Sequence, residues 1–242
     1  MDKNLKAIQT DSGWMEAYYK KSISKTEQQK HLERMLEADG CESVRDVADI
    51  ACGGGTLTHH VRGLFPDASF TLLDYNDQAL KYARELLLGP EYKFVEGDAR
   101  DLPFADNSFD RVFFWMTLHW IEEPQKVLEE LARVTRPGGR IYVSALFNLE
   151  TDVDLYTRVF DYTLESARNG LWINYNTLSA LTVGRMLDGR VSNFRIEPFE
   201  PGIDLHYEGR GLGSHTVRTD AGRRLTISGG LLLNWGILAA QK

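Results

Sequence analysis

The stretch Val47-Ala48-Asp49-Ile50-Ala51-Cys52-Gly53-Gly54-Gly55-Thr56 places bare backbone directly after an apolar run. Without a Cβ, such a turn lets a ligand come within van der Waals distance of the chain. A helix starting just after it would add free N–H groups and their partial positive charge. That chemistry suits an adenosine-containing cofactor. Asp74 stands about 20 residues on, where a carboxylate can accept from both hydroxyls of a ribose. Asp98 is a third acid at an equivalent place. His119 has the side chain best suited to proton transfer near neutrality. Arg210, Arg218, Arg223 and Arg224, opposed between 210 and 224 by Asp220 alone, offer an anchor for an anionic substrate.

Two cofactors compete for the turn. A dinucleotide fingerprint wants G-x-G-x-x-G, but Thr58 occupies the place of the third glycine. Asp49 to Val61 contains no Lys or Arg, and the presumed crevice holds Asp49, Asp74 and Asp98. Surplus negative charge favours a cation over a pyrophosphate. S-adenosylmethionine carries a sulfonium and an ammonium, so it is the expected cofactor.

The elements that must position these groups follow from hydrophobic periodicity. Ser24 and Glu27 have capping-box spacing, and Leu32, Met35 and Leu36 give the following helix an apolar stripe ending at Gly40. Strands are expected at Val44 to Ile50, Phe70 to Leu73, Lys93 to Val95, Arg111 to Phe114 and Arg140 to Leu146. Helices are expected at Thr56 to Leu64, at Asp77 to Leu88 with a stop at Gly89-Pro90, and through Val127 to Val134 with a stop at Pro137-Gly138-Gly139. Strand and helix alternate, which predicts an α/β fold with a doubly wound, mostly parallel sheet. Ligands of such sheets lie over the C-terminal strand edge, where Asp74, Asp98 and the 51–55 turn should meet. Beyond it, Asp152 to Gly189 reads as two helices, and Val191 to Ile196 and Leu225 to Ala240 as late antiparallel strands. The divisions expected are an N-terminal helical cap (1–40), a cofactor-binding core (41–148), a helical lid (149–190) and C-terminal strands completing the sheet (191–242).

The chain has 242 residues, 43% hydrophobic and 26% charged, with a net charge of −7. That acidity counts against nucleic acid as the main partner. No apolar run approaches the roughly 18 residues of a membrane span, no secretory signal is visible, and a cytoplasmic location is the default. Cys41 and Cys52 make neither a disulfide framework nor a metal-ligand spacing, so no metal is expected.

These residues resemble a known family. Asp49-Ile50-Ala51-Cys52-Gly53-Gly54-Gly55 is similar to motif I of the class I S-adenosylmethionine-dependent methyltransferases, with Ala51 where the first glycine usually stands. Leu73-Asp74 resembles their acidic end of strand two. Gly97-Asp98-Ala99 with Leu102-Pro103-Phe104 resembles the adenine-contacting segment. Phe109-Asp110 to Leu118-His119-Trp120 looks like strand four and its loop, and Leu131, Arg133-Val134 and Arg136-Pro137-Gly138-Gly139 the approach to strand five. In style the nearest subgroup is the small-molecule enzymes similar to the trans-aconitate and ubiquinone-pathway methyltransferases.

The resemblance implies cofactor contacts from Asp49, Ala51, Gly53, Gly55, Asp74, Tyr75, Asp98, Ala99 and Trp115. Asp74 would hold the ribose, Asp98 the adenine amino group and Ala99 N–H a ring nitrogen. Gly53 and Gly55 would admit the methionine half, with Trp115 near the methyl group. His119 is the candidate base, Trp14, Tyr18 and Tyr19 a candidate lid over the sulfonium, and Arg223 and Arg224 candidate substrate contacts. Each has a plainer reading: Asp74 as a helix cap, Asp98 as a turn residue, the aromatic residues and His119 as packing, the arginines as solvated charge. The reaction expected is methyl transfer to a small-molecule acceptor. An NAD-dependent oxidoreductase and a non-catalytic S-adenosylmethionine-binding protein are the alternatives.

Overall fold

The computed structural model describes residues 24–242. Helix α1 (Glu27–Asp39) starts at Thr26, whose hydroxyl accepts from Gln29 N while the Gln29 side chain accepts from Thr26 N. The capping box therefore lies two residues beyond the Ser24–Glu27 pair expected. Strand β1 (Asp46–Ile50) runs into the glycine turn and helix α2 (Thr56–Val61), which a 3₁₀ turn extends to Leu64. Next come β2 (Ser69–Asp74), α3 (Asp77–Leu86), β3 (Tyr92–Glu96) and β4 (Phe109–Phe114). A 3₁₀ turn at Leu118–Trp120 leads to α4 (Pro124–Val134) and the long β5 (Thr135–Asn148). Proline at the start of α4 costs nothing, because no intrahelical partner awaits its missing N–H.

The next segment departs from expectation. Where two helices were read between 152 and 189, the chain forms β6 (Leu155–Val159) and β7 (Ile173–Ser179), an antiparallel pair. Helix there is confined to a single turn, α5 (Glu165–Arg168), and to α6 (Ala180–Leu187). The strands β8 (Asn193–Pro198), β9 (Ser214–Arg218), β10 (Arg224–Ser228), β11 (Leu231–Leu232) and β12 (Trp235–Gln241) follow.

The main sheet runs β3-β2-β1-β4-β5-β12-β8. Its first five strands are parallel, and β12 is antiparallel to both β5 and β8. Successive strand residues face opposite sides, so Tyr142, Ile237 and Ala239 join one apolar layer while Val143, Leu238 and Ala240 join the other. Helix α1 packs Leu32, Met35 and Leu36 into the first layer, and its last residue, Asp39, accepts from Tyr142 Oη at 2.8 Å. Helices α4 and α6 cover the second with Val127, Leu128, Leu131, Val183 and Leu187. The fold is thus the doubly wound α/β sheet expected. The residues after 191 divide their work: β8 and β12 extend the main sheet, while β9, β10 and β11 form a separate three-stranded one.

Candidate functional site

Register puts the ends of four strands in one row. Ile50 pairs with Leu73 and with Phe114, and Asp74 pairs with Glu96. Ala51, Tyr75, Gly97 and Trp115 therefore leave the sheet at a common edge, next to the switch between the β1-β2-β3 and β4-β5 halves. Two backbone bonds tie the row together. Cys52 N donates to Leu73 O at 3.0 Å, and Gly97 N to Asp74 O at 3.0 Å.

The turn is built from left-handed residues at alternate positions, with φ of +56° at Ala51, +54° at Gly53 and +75° at Gly55. A Cβ on Gly55 would lie 2.9 Å from Leu87 Cδ1 and 3.2 Å from Ala83 Cβ, so this glycine sets how closely α3 approaches the turn. Thr58, in the place of the third dinucleotide glycine, donates its hydroxyl to Asp49 Oδ2 at 2.7 Å. It locks α2 onto the end of β1, a role that the sequence did not reveal.

Asp49 is 1% exposed, and its Oδ1 has no hydrogen-bond partner. Burial pushes its pKa up to about 7 despite the Thr58 bonds. Asp74 accepts from Gly53 N at 2.8 Å and Asn76 N at 2.9 Å, yet burial raises it to about 6. The Tyr75 N–H also donates to it, so the backbone of Tyr75 belongs to the same cluster. The cap of α3 is not Asp74 but Asn76, whose side chain accepts from Gln78 N. Among the described residues neither Asp49 nor Asp74 forms an ion pair. A bound cation would lower the cost of ionising both, and a pyrophosphate would raise it. The site therefore fits S-adenosylmethionine better than a dinucleotide.

Asp98 differs, because Arg100 straddles it: Nη2 lies 2.7 Å from Oδ2 and Nε 3.1 Å from Oδ1, while Nη1 reaches Glu123 at 3.0 Å. Arg100 was not expected here. Its position two residues past Asp98 is the one signal for it in the sequence. Ala99 and Trp115 are half-buried beside this edge. Met116 follows with φ +51°, a second strained non-glycine residue at the rim.

His119 lies elsewhere in chemical terms. It is 2% exposed, and its ring sits 5.0 Å from that of Trp120, 5.6 Å from Tyr175 and 5.0 Å from Trp235. Desolvation lowers its pKa to about 3. The arginine census also changes. Asp204 takes Arg218 at 2.7 Å and Arg224 at 2.9 Å, and Glu200 lies 3.7 Å from Arg223. Both acids precede the 210–224 window, and each of Arg223 and Arg224, expected to meet substrate, has a carboxylate partner at the surface. Trp14, Tyr18 and Tyr19 lie outside the described residues.

Residues 48–143 match the model of a family described as a methyltransferase domain. The chain is 27% identical over 200 residues to malonyl-acyl-carrier-protein O-methyltransferase of Hahella chejuensis, covering 79% of this chain and 67% of that protein. It is 36% identical over 125 residues to demethylmenaquinone methyltransferase of Renibacterium salmoninarum, covering 51% and 49%. The chain thus spans about two thirds of the first relative and about half of the second. An S-adenosylmethionine-dependent methyltransferase of Mesorhizobium loti shares the fold with a TM-score of 0.58 at 16% identity, over 88% of this chain and 96% of that one. With its five parallel strands, its positive-φ glycine turn and its acidic crevice, the core that carries this methyltransferase domain is similar to the class I S-adenosylmethionine-dependent methyltransferases.

Proposed function

We propose that the protein moves a methyl group from S-adenosylmethionine to a small-molecule acceptor by in-line displacement. The observation that carries this reading is the row of strand ends, where two buried carboxylates with no counter-ion among the described residues border a turn of alternate left-handed residues. In this reading Asp74 and the Tyr75 backbone hold the ribose, while Asp98 and Ala99 face the adenine. The Ala51, Gly53 and Gly55 backbone borders the methionine half, and Trp115 covers the side where the acceptor enters. Asp49 acts from below, holding the turn through Thr58. When bound, the cofactor supplies an electrophilic methyl on a sulfonium that leaves as a neutral thioether. The protein's task is then to align donor and acceptor and to keep water out.

A buried imidazole with a pKa near 3 holds a proton too weakly to serve as a base near neutrality. His119 is instead read as an aromatic packing element of the acceptor side. The relatives' names specify malonyl-acyl-carrier protein in one case and demethylmenaquinone in the other. The kind of acceptor is therefore argued from this chain's own surface below. Two unpaired cysteines fit a cytoplasmic setting, and the acidic chain suits a metabolite rather than nucleic acid. Among the described residues no helix is long and apolar enough to cross a membrane.

The test is calorimetry with S-adenosylhomocysteine. Asp74→Ala is expected to weaken binding at least tenfold, since two charge-assisted hydrogen bonds are worth about 1.5–3 kcal/mol each. An unchanged affinity removes Asp74 from the site.

A further inference from the structure

We infer that the acceptor is an anion with a flat or apolar body, received in a groove of about 570 Å³ between the end of β6 and the 210–212 loop, with Arg210 as its counter-charge. This deepens the methyltransferase reading and rests on it. The volume is that of a small-molecule site.

The lining is aromatic and carries one arginine, Arg210, and one acid, Asp161; further arginines and an indole stand behind it. Phe160 and Tyr162 line the groove, their rings stacked with centroids 6.2 Å apart and planes 17° from parallel. Trp172 lies 6.1 Å from Phe160, and the Arg158 guanidinium sits 4.5 Å above its indole. Arg168 bonds the carbonyls of Tyr162 and Thr163. Among the described residues, Arg158, Arg168 and Arg210 form no ion pair with a carboxylate, in a chain of net charge −7. The arginines further along the same loop, by contrast, are all neutralised by Glu200 and Asp204. The acid inside the groove, Asp161, is committed to structure. Its Oδ1 accepts from Thr163 N and Oγ1, and its Oδ2 from Leu212 N at 2.9 Å. It staples the two walls together, and a Cβ on Gly211 would meet it at 2.8 Å. Arg210, on that same stapled loop, lines the groove and has no carboxylate partner among the described residues. A planar cation beside stacked rings holds a carboxylate or phosphate on a flat scaffold.

β7 links the lobe that carries the groove to the turn after β4. Trp172 Nε1 donates to Asn174 Oδ1 at 3.2 Å, and the Asn176 amide donates to Ile121 O at 2.8 Å. Tyr175 meets His119 in the turn that follows β4. β7 joins β5 at Phe147 and Asn148, beyond Val143, where the pairing with β4 ends. The lobe therefore stands at the crevice end of the sheet.

Three probes decide the matter: 2-naphthoate, 2-naphthyl phosphate and neutral 2-naphthol, titrated by calorimetry into the full chain with and without S-adenosylhomocysteine. At least one anion should bind ten times more tightly than 2-naphthol, and the tighter of the two distinguishes a carboxylate from a phosphate acceptor. Arg210→Gln should abolish that preference and leave 2-naphthol affinity unchanged, Arg210→Lys should keep part of it, and Arg218→Gln should alter nothing. Equal affinity for all three, binding of none of them, or an undiminished preference in Arg210→Gln overturns the assignment. S-adenosylhomocysteine affinity, measured on the same samples, separates the two ideas. If it is intact while the anion preference is missing, the groove fails alone. If it is absent in the wild type, the methyltransferase reading fails, and the titrations without nucleoside still judge the groove.

Discussion

Ala51 occupies a left-handed conformation that costs an L-residue about 1 kcal/mol or more. Ala51→Gly is expected to raise the stability of the ligand-free protein by about that amount, a rise of a few degrees in a thermal melt. Gly55→Ala should lose about 2 kcal/mol, because φ +75° and the Leu87 methyl group both oppose the new Cβ. Asp49 and Asp74 make stability depend on pH. Their pKa values, about 7 and about 6 when folded, exceed the ordinary carboxylate value of 3.8. Between about pH 4 and pH 7 the folded chain keeps protons that the unfolded chain has released, so stability falls as pH rises through that window. Melts at pH 5 and pH 8 should show the difference, and Asp49→Asn should shrink it. Nucleoside binding has the opposite sign, since it needs Asp74 ionised: affinity should drop below about pH 6, with protons released on binding in paired-buffer calorimetry. The three acids were legible in the sequence because their spacing repeats the strand ends. The strain at Ala51 was not, since φ is set by the turn and the residue type gives no sign of it.

At the scale of elements, the β6–β7 pair is the feature that sequence periodicity hid. Asn174 and Asn176 read as strand breakers, yet both are buried, and their amides reach carbonyls of the 118–121 segment. Tertiary hydrogen bonding outweighed local propensity, and no pattern within 152–189 announces a partner that lies 55 residues away. Asn176→Ala should therefore destabilise the protein by about 1–3 kcal/mol in urea unfolding, as it leaves the Ile121 carbonyl unpaired. It should leave S-adenosylhomocysteine affinity within a few-fold, because the loss falls on the β6–β7 pair and not on the glycine turn or Asp74. His119 belongs to the same contact. His119→Phe should preserve turnover within a few-fold and His119→Ala should cost roughly 3 kcal/mol of stability, whereas a general base would lose rate in both. The parallel core, by contrast, was readable strand by strand, because its apolar runs, buried in β1, β4 and β5, alternate with amphipathic helices whose stripes face the sheet.

Over the whole molecule, charge is sorted by face. The cofactor crevice concentrates acids, two of which, Asp49 and Asp74, have no ion-pair partner among the described residues, while the 155–175 lobe carries the Arg158 and Arg168 guanidinium groups and the Trp172 indole. Net charge alone conceals this division, and it misled the arginine census because neutralising partners stood outside the window counted. The pairing of β7 with β5 extends over only two residue pairs, Phe147 with Leu178 and Asn148 with Ser179. Beyond that seam the insert is held by the Asn174 and Asn176 amides on the 118–121 carbonyls and by the Asp161 bond from Leu212 N. Exchanging residues 149–179 for another sequence is therefore expected to keep the parent's melting temperature only where these anchors are carried over with it.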